Sequence, residues 1–423
     1  MSDPQSDPPR PTRRNLLRAS AALAGGLGAA VGAPRAADAE AGDNLPPNVP
    51  AWMKTQGAPV LNPAYGEPSP FEKAVIRRQR TRTQTQTAAS SQTPLQDLHG
   101  VITPSGLHFE RHHAGVPAID PAQHRLMLHG MVERPLIFTL QDLARFPSVS
   151  RVHFLECSGN GSWAGLGPDA TVQQTHGLIS CSEWTGVLLS TVLGEAGLQP
   201  GAAWVLAEGA DASGMSRSIP IKSALDDAIL AYAQNGERLR PEQGYPLRLF
   251  LPGLEGNMSV KWLRRLKVGD QPFETREETS KYTDLMPDGT ARQFTFVMEA
   301  RSVITFPSGG QRLADHGFVE ISGLAWSGRG RITRVEVSTD GGASWRDAGL
   351  QTPVMSKCLT RFRSPWTWTG EPARLQSRAT DETGYVQQSK AELVDARGLN
   401  SGYHFNGIHE WRLAADGAVT NAV

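Results

Sequence analysis

Residues 152–163 read VHFLECSGNGSW. An alternating apolar run delivers Cys157 to the end of a strand pattern, and Ser158, Gly159, Asn160 and Gly161 then turn the chain. A thiol there is either a small buried hydrophobe or, as thiolate, a soft metal ligand. Glycines at positions 159 and 161 let the backbone approach a bulky group closely. A second stretch, HFERHHAGVP at 108–117, sets Arg111, His112 and His113 in a row. On a strand, Arg111 and His113 share a side, and an arginine–histidine pair suits a phosphate better than a zinc ion. A third, YPLRLFLPGLEGNMSVKW at 245–262, buries Arg248 in an apolar run, where a lone charge is costly. Gly253 and Gly256 mark a tight loop, and Ser259, Val260 and Lys261 offer an anion a hydroxyl, an amide and an ammonium.

These groups need a scaffold. RVHFLEC, AWVLAEG, PLRLFLPG and RLKVGD read as strands, while TLQDLARF, GVLLSTVLGEAGL and SALDDAILAYAQ read as amphipathic helices. They do not alternate regularly, and no glycine-rich phosphate loop opens a helix after a strand, so a dinucleotide-binding assignment would be forced. From Ser302 onward, short alternating runs broken by Gly, Asp and Ser turns, STDGGASW among them, predict an immunoglobulin-like β-sandwich. The fold class expected is α+β followed by an all-β domain. The boundaries expected are an arm over 40–94, a catalytic domain over 95–301, the sandwich over 302–415 and a tail over 416–423. The arm lacks an apolar face, so its basic cluster (Arg77, Arg78, Arg80, Arg82) reads as solvated coil.

Composition narrows the function. The 423 residues contain 42 basic and 42 acidic side chains, which gives no reason to expect nucleic acid or an anionic membrane as partner. Three cysteines without CxxC or CxxCH argue against structural zinc, iron–sulfur and c-type haem in this chain. Cys181 and Cys358 read as core or loop thiols, and a disulfide between them has no support. His404 and His409 read as domain-edge residues. TRRNLLRAS at 12–20, an uncharged Ala/Gly-rich run and the Ala37-Asp38-Ala39 site compose a twin-arginine signal over 1–39 and predict a periplasmic destination. The run is too short and too weakly apolar for a membrane span.

Taken in order, the three stretches resemble the sulfite oxidase family of molybdopterin enzymes, over roughly Leu95 to the C-terminus. The resemblance implies a molybdenum–molybdopterin cofactor with Cys157 as the metal's protein ligand. It places Phe109, Glu110, Arg111, His112, His113, Asp211, Gln243, Arg248, Ser259, Val260 and Lys261 on the cofactor, and Arg111 and Tyr232 beside Cys157 in catalysis. Sulfite oxidases follow their cysteine with arginines, whereas this chain does not. Arg361 and Arg363 of SKCLTRFR are the candidates for the missing pocket cation, and an arginine restored at Gly161 or Ser162 is expected to favour free sulfite. This departure resembles the sulfane dehydrogenase branch of the Sox thiosulfate-oxidising system. That branch implies a sulfur-carrier protein as substrate and a c-type dihaem cytochrome as electron acceptor. It also implies a homodimer through the C-terminal domain, or a heterotetramer with the cytochrome. A sulfite dehydrogenase and a metal-free binding subunit are the competing readings.

Overall fold

The computed structural model describes residue 56 and residues 66–80, 85–161, 166–286, 288–293, 295–398 and 402–422, so the signal expected over 1–39 lies outside the described residues. Everything below concerns the compact unit Pro63–Val423.

A small antiparallel ribbon comes first, with β1 (Arg78–Gln79), β2 (Ser90–Gln92) and β3 (Glu110–Arg111) in that order. Where the arm is described, Ile76, Arg77 and residues 90–92 are docked rather than solvated, while Arg78 stays exposed. The Gln173 amide donates to the carbonyls of Ile76 (2.9 Å) and Gln92 (2.7 Å), and Arg77 pairs with Glu110. Backbone pairing and polar bonds hold a segment that has no apolar face, which is why hydrophobic patterning does not reveal it.

Two five-stranded sheets form the catalytic domain. Their strands are β4 (Leu126–Gly130), β5 (Leu136–Phe138), β6 (Ser148–Glu156), β7 (Ile179–Leu188), β8 (Trp204–Gly209), β9 (Ser216–Pro220), β10 (Ile229–Gln234), β11 (Glu237–Arg238), β12 (Arg248–Phe250) and β13 (Leu263–Gly269). One sheet runs β11–β10–β7–β6, with β12 also on β10, and the other runs β5–β4–β13–β8–β9. Helices are short: α1 (Leu140–Leu143), α2 (Val172–His176), α3 (Leu189–Ala196) and α4 (Ile221–Asp226). Reciprocal capping boxes start α1 at Thr139–Asp142 and α2 at Thr171–Gln174. Two helix expectations need correction. Gly186–Leu188 belong to β7, and the helix within SALDDAILAYAQ stops at Asp226 before the remainder becomes β10. Ile229, Leu230 and Ala231 lie between β7 and β12, and a run that short and apolar fits either period.

After α5 (Arg276–Ser280), β14 (Thr283–Leu285) and β15 (Ala291–Gln293) make a hairpin. The C-terminal sandwich holds β16 (Arg301–Phe306), β17 (Gly317–Trp326), β18 (Ile332–Ser338), β19 (Arg346–Asp347), β20 (Gly349–Leu350), β21 (Thr360–Trp368), β22 (Ala373–Asp381), β23 (Glu410–Leu413) and β24 (Val419–Asn421). Its sheets are β16–β17–β21–β20 and β19–β18–β22–β23–β24. Residues expected as a tail thus supply the last strand, which pairs with β23. The sandwich core of Val303, Ile321, Trp326, Phe362 and Trp411 is continuous with Phe154, Ile179 and Cys181 of the catalytic sheet. Cys181 and Cys358 meet across this junction as buried free thiols, with their sulfurs 3.4 Å apart.

Candidate cofactor-binding and active site

Strand β6 ends at Glu156, and Cys157 opens the turn beyond it. The Cys157 amide still donates to Leu178 O (3.0 Å), and Asn160 N returns to Cys157 O (2.8 Å). Asn160 closes the turn from within, its Oδ1 accepting from Leu178 N and its Nδ2 donating to Glu156 Oε1 (2.9 Å). Glu156 is fully buried and anchored from the C-terminal domain. Its Oε1 accepts from Arg301 Nη1 (3.0 Å) and its Oε2 from Trp326 Nε1 (2.7 Å). Gly161 has φ +71°, and a Cβ there would collide with the Arg301 guanidinium. A Cβ on Gly256 would sit 2.6 Å from Glu156 O, so the 253–258 loop crosses the strand end at glycine distance.

Cys157 opens into a cavity of about 710 Å³. Phe109, Glu110, Arg111, His112 and His113 form one wall, with Asp211, Gln243, Arg248, Ser259, Val260 and Lys261 elsewhere in the lining. Twelve of the thirteen residues that the sequence singled out therefore meet at one place. Tyr232 does not. Its partly buried ring on β10 packs against the core of the catalytic domain, with the Arg238 guanidinium 5.6 Å from the centroid.

The donors suit an anionic, ring-bearing ligand. Arg248 is buried, and its contacts are carbonyls (Gln243 O at 3.0 Å, Ser259 O at 2.9 Å) and the Trp184 ring rather than a carboxylate. Desolvation pulls its pKa down to about 9, so it stays charged at neutral pH and a bound anion would supply the counter-charge its surroundings lack. Lys261 donates to Arg111 O (3.0 Å) and Glu242 O (3.1 Å) and meets His112 Nδ1 (3.0 Å); burial, then Arg248, lowers its pKa well below the usual value. Burial also pushes His108 and His112 down to about 3 and His113 to about 4, so these imidazoles are neutral. A neutral His112 accepts from Lys261 at Nδ1 and donates from Nε2 to Glu110 Oε2 (2.8 Å). Gln243 Nε2 fixes Phe109 O (3.0 Å). Asp211 accepts from Ser213 at one oxygen, while its other oxygen is buried without a partner, an acceptor suited to a ligand N–H. Ser259 Oγ is engaged by Leu251 N (3.0 Å), so this hydroxyl shapes the loop.

Burial raises the Cys157 thiol, and this is opposed by the Gly159 amide and by the charges of Arg111 and Arg80. As the thiol of this cavity, Cys157 is the group its wall offers a soft metal. Among the described residues, no three His, Cys, Asp or Glu side chains gather as a metal-binding group. With one thiol, the cations Arg248 and Lys261 and the open acceptor of Asp211 in its lining, the cavity fits a metal carried on an anionic, ring-bearing organic group.

The structure also supplies residues that the motifs did not. Tyr282 lines the cavity, its phenol pushed up by burial and then by Cys157. The buried Arg217 guanidinium lies 4.8 Å above the Tyr282 ring and donates to Glu255 Oε1 (2.9 Å). Tyr403, from the C-terminal domain, packs 5.0 Å from Tyr282, while His404 bonds Ser158 O through its amide and Glu255 Oε2 (3.1 Å) through its ring. His404 is therefore a bracket on the cysteine turn rather than a domain-edge residue. Asn257 and Trp262 fell within stretches already singled out, but nothing in ETSKYTDL distinguishes Tyr282. Neither candidate for the missing cation reaches the cavity. Arg361 donates to Leu98 O and Gly100 O, and Arg363 pairs with Glu320 at the surface.

Comparison with known proteins agrees with this chemistry. Residues 113–277 match the oxidoreductase molybdopterin binding domain family, and residues 292–410 the Mo-co oxidoreductase dimerisation domain family. The chain is 32% identical to chicken (Gallus gallus) sulfite oxidase over 331 residues, 72% of each chain. It is 32% identical to mouse (Mus musculus) mitochondrial sulfite oxidase over 329 residues, covering 73% of this chain and spanning 59% of the mouse protein's length. It is similar in structure to the sulfane dehydrogenase SoxCD of Paracoccus pantotrophus, with TM-score 0.86 and 48% identity over 89% of this chain and 97% of that one. The cysteine-headed cavity and the two matched domains behind it make the chain a member of the sulfite oxidase family of molybdopterin oxidoreductases.

Proposed function

We propose that this protein oxidises sulfane sulfur held on the cysteine of a carrier protein during thiosulfate oxidation. Electrons then pass to a c-type dihaem cytochrome subunit. What carries the reading is the turn after Cys157. It contains no arginine, and the steric fit of Gly161 against Arg301 leaves no room for a side chain there. A small free dianion gains most from a dense cationic pocket, whereas a tethered sulfur is positioned by its carrier. The likeness to SoxCD over 97% of that chain supports the same choice.

The cofactor, when bound, supplies two-electron oxygen-atom transfer at molybdenum. The chain's residues do the rest. Arg248 and Lys261 would hold the cofactor's anionic end, and Asp211 would take a hydrogen bond from its ring system. Cys157 would be the metal's protein ligand. Arg111 stabilises negative charge developing on the substrate oxygens. Tyr282, kept protonated by burial, donates a hydrogen bond to the same oxygens. Twin-arginine export, a homodimer built through the sandwich and a heterotetramer with the cytochrome complete the proposal.

Sulfite dehydrogenation is the second reading, favoured by Arg111 in the cavity. Turnover of free sulfite and of a thiosulfate-charged carrier cysteine, measured with the molybdenum-loaded chain and an artificial acceptor, separates the two. Efficient carrier turnover with slow sulfite turnover is expected; the reverse would overturn the proposal.

A further inference from the structure

The N-terminal ribbon carries a basic residue to the same side as Arg111. Arg78 stands opposite Gln92 and Gln79 opposite Ser91, so Arg80 falls opposite Ser90, to whose carbonyl its amide donates at 3.1 Å. Ser90 in turn stands opposite Arg111. Residues paired across a sheet project to one face, so Arg80, Ser90 and Arg111 form a single row. Two strand spacings, roughly 9–10 Å, separate its ends. The neighbouring row obeys the same alternation: Gln79, Ser91 and Glu110 project the other way, and Glu110 is taken there by Arg77.

Resting on the sulfur-oxidation reading above, we infer that Arg80 is the second substrate-binding cation of the Cys157 cavity, standing at its rim beside Arg111 and holding a sulfur oxyanion between the two guanidinium groups. Arg80 is half-buried and is not part of the cavity wall, as suits a group that meets the substrate's outer oxygens. An anion placed between two guanidinium groups of one cross-strand row makes charge-assisted hydrogen bonds to both. Arg80 comes from a distant part of the chain and, at the rim, does not fill the place beside the thiol that the arginine-free turn leaves. The oxyanion is either a free ion or the terminal group of a sulfur chain on a carrier.

The test is calorimetric titration of the molybdenum-loaded chain with sodium sulfate, for wild type, R80A, R80K and the remote surface variant R145A. Sulfate binding should weaken about tenfold or more in R80A and recover in part in R80K, leaving molybdenum content and R145A unchanged. An R80A affinity equal to wild type, or no sulfate binding by wild type, overturns the inference. Should R80A not assemble, Arg80→Gln decides, since it keeps the strand and a long side chain while removing the charge. Steady-state kinetics of R80A then identify the source of the oxyanion. KM rises for free sulfite or for the charged carrier, with kcat within about threefold, whereas no rise for either contradicts the role. Sulfate binding does not depend on which sulfur compound is turned over. Failure of carrier turnover would therefore remove the functional proposal while leaving Arg80 in place.

Discussion

The Glu156 carboxylate, one residue before the cavity cysteine, accepts a 3.0 Å hydrogen bond from Arg301 on the first strand of the C-terminal sandwich. Both side chains are buried to within 2%. The sandwich, whatever its part in dimerisation, thereby helps set the height and angle of Cys157. A buried pair broken on one side leaves an uncompensated charge, at a cost of about 3–5 kcal/mol. Arg301→Met should therefore lower the unfolding free energy by that order, shift the urea midpoint down and reduce molybdenum retention. An unchanged midpoint in urea unfolding would show that the pair is not structural.

An arginine installed at Gly161 is expected to destroy rather than convert the site. The sequence alone suggested that it would favour sulfite, but the left-handed backbone and the Arg301 guanidinium leave no space for a side chain. Gly161→Arg should yield protein with little molybdenum and a lowered melting temperature. A soluble, fully loaded variant with enhanced sulfite turnover would restore the earlier expectation.

Tyr282 and Tyr232 make a matched pair of tests. Tyr282→Phe removes the cavity phenol and should lower kcat by about tenfold to a hundredfold at near-constant cofactor content. Tyr232→Phe should leave kcat within about twofold, because its ring packs against the core and does not line the cavity. Equal effects from the two would contradict the assignment.

His108 gives a pH signature. Folded, it resists protonation down to about 3; unfolded, it protonates near 6.5. Between those values the unfolded chain binds the additional proton, so this contribution to stability is complete above about pH 6.5 and is lost as pH falls toward 3. The melting-temperature gap between wild type and His108→Gln should be constant above pH 7 and should narrow steadily below 6. A gap independent of pH would refute the burial argument.

What was legible in the sequence follows from what local pattern encodes. Strand β6 and Cys157 were readable because alternation and a Gly/Asn turn are local signals, and Arg248 because a charge in an apolar run is conspicuous. The Asp211 loop and Gln243 came only through family resemblance, since nothing nearby marks them. Tyr282 was missed, and Tyr232 proposed in its place, because a phenol's position depends on how a distant segment crosses the cavity. The ribbon carrying Arg80 was hidden for a similar reason: two- and three-residue strands held by backbone bonds have no hydrophobic period to detect.

Cys157 as the metal's protein ligand is the keystone of the proposed site. Molybdenum-edge X-ray absorption of the loaded wild type and of Cys157→Ser tests it most directly. The sulfur shell should lose about one scatterer in the variant while cofactor remains bound through Arg248, Lys261 and Asp211. An identical sulfur shell in the two proteins would show that the thiol at the end of β6 does not hold the metal.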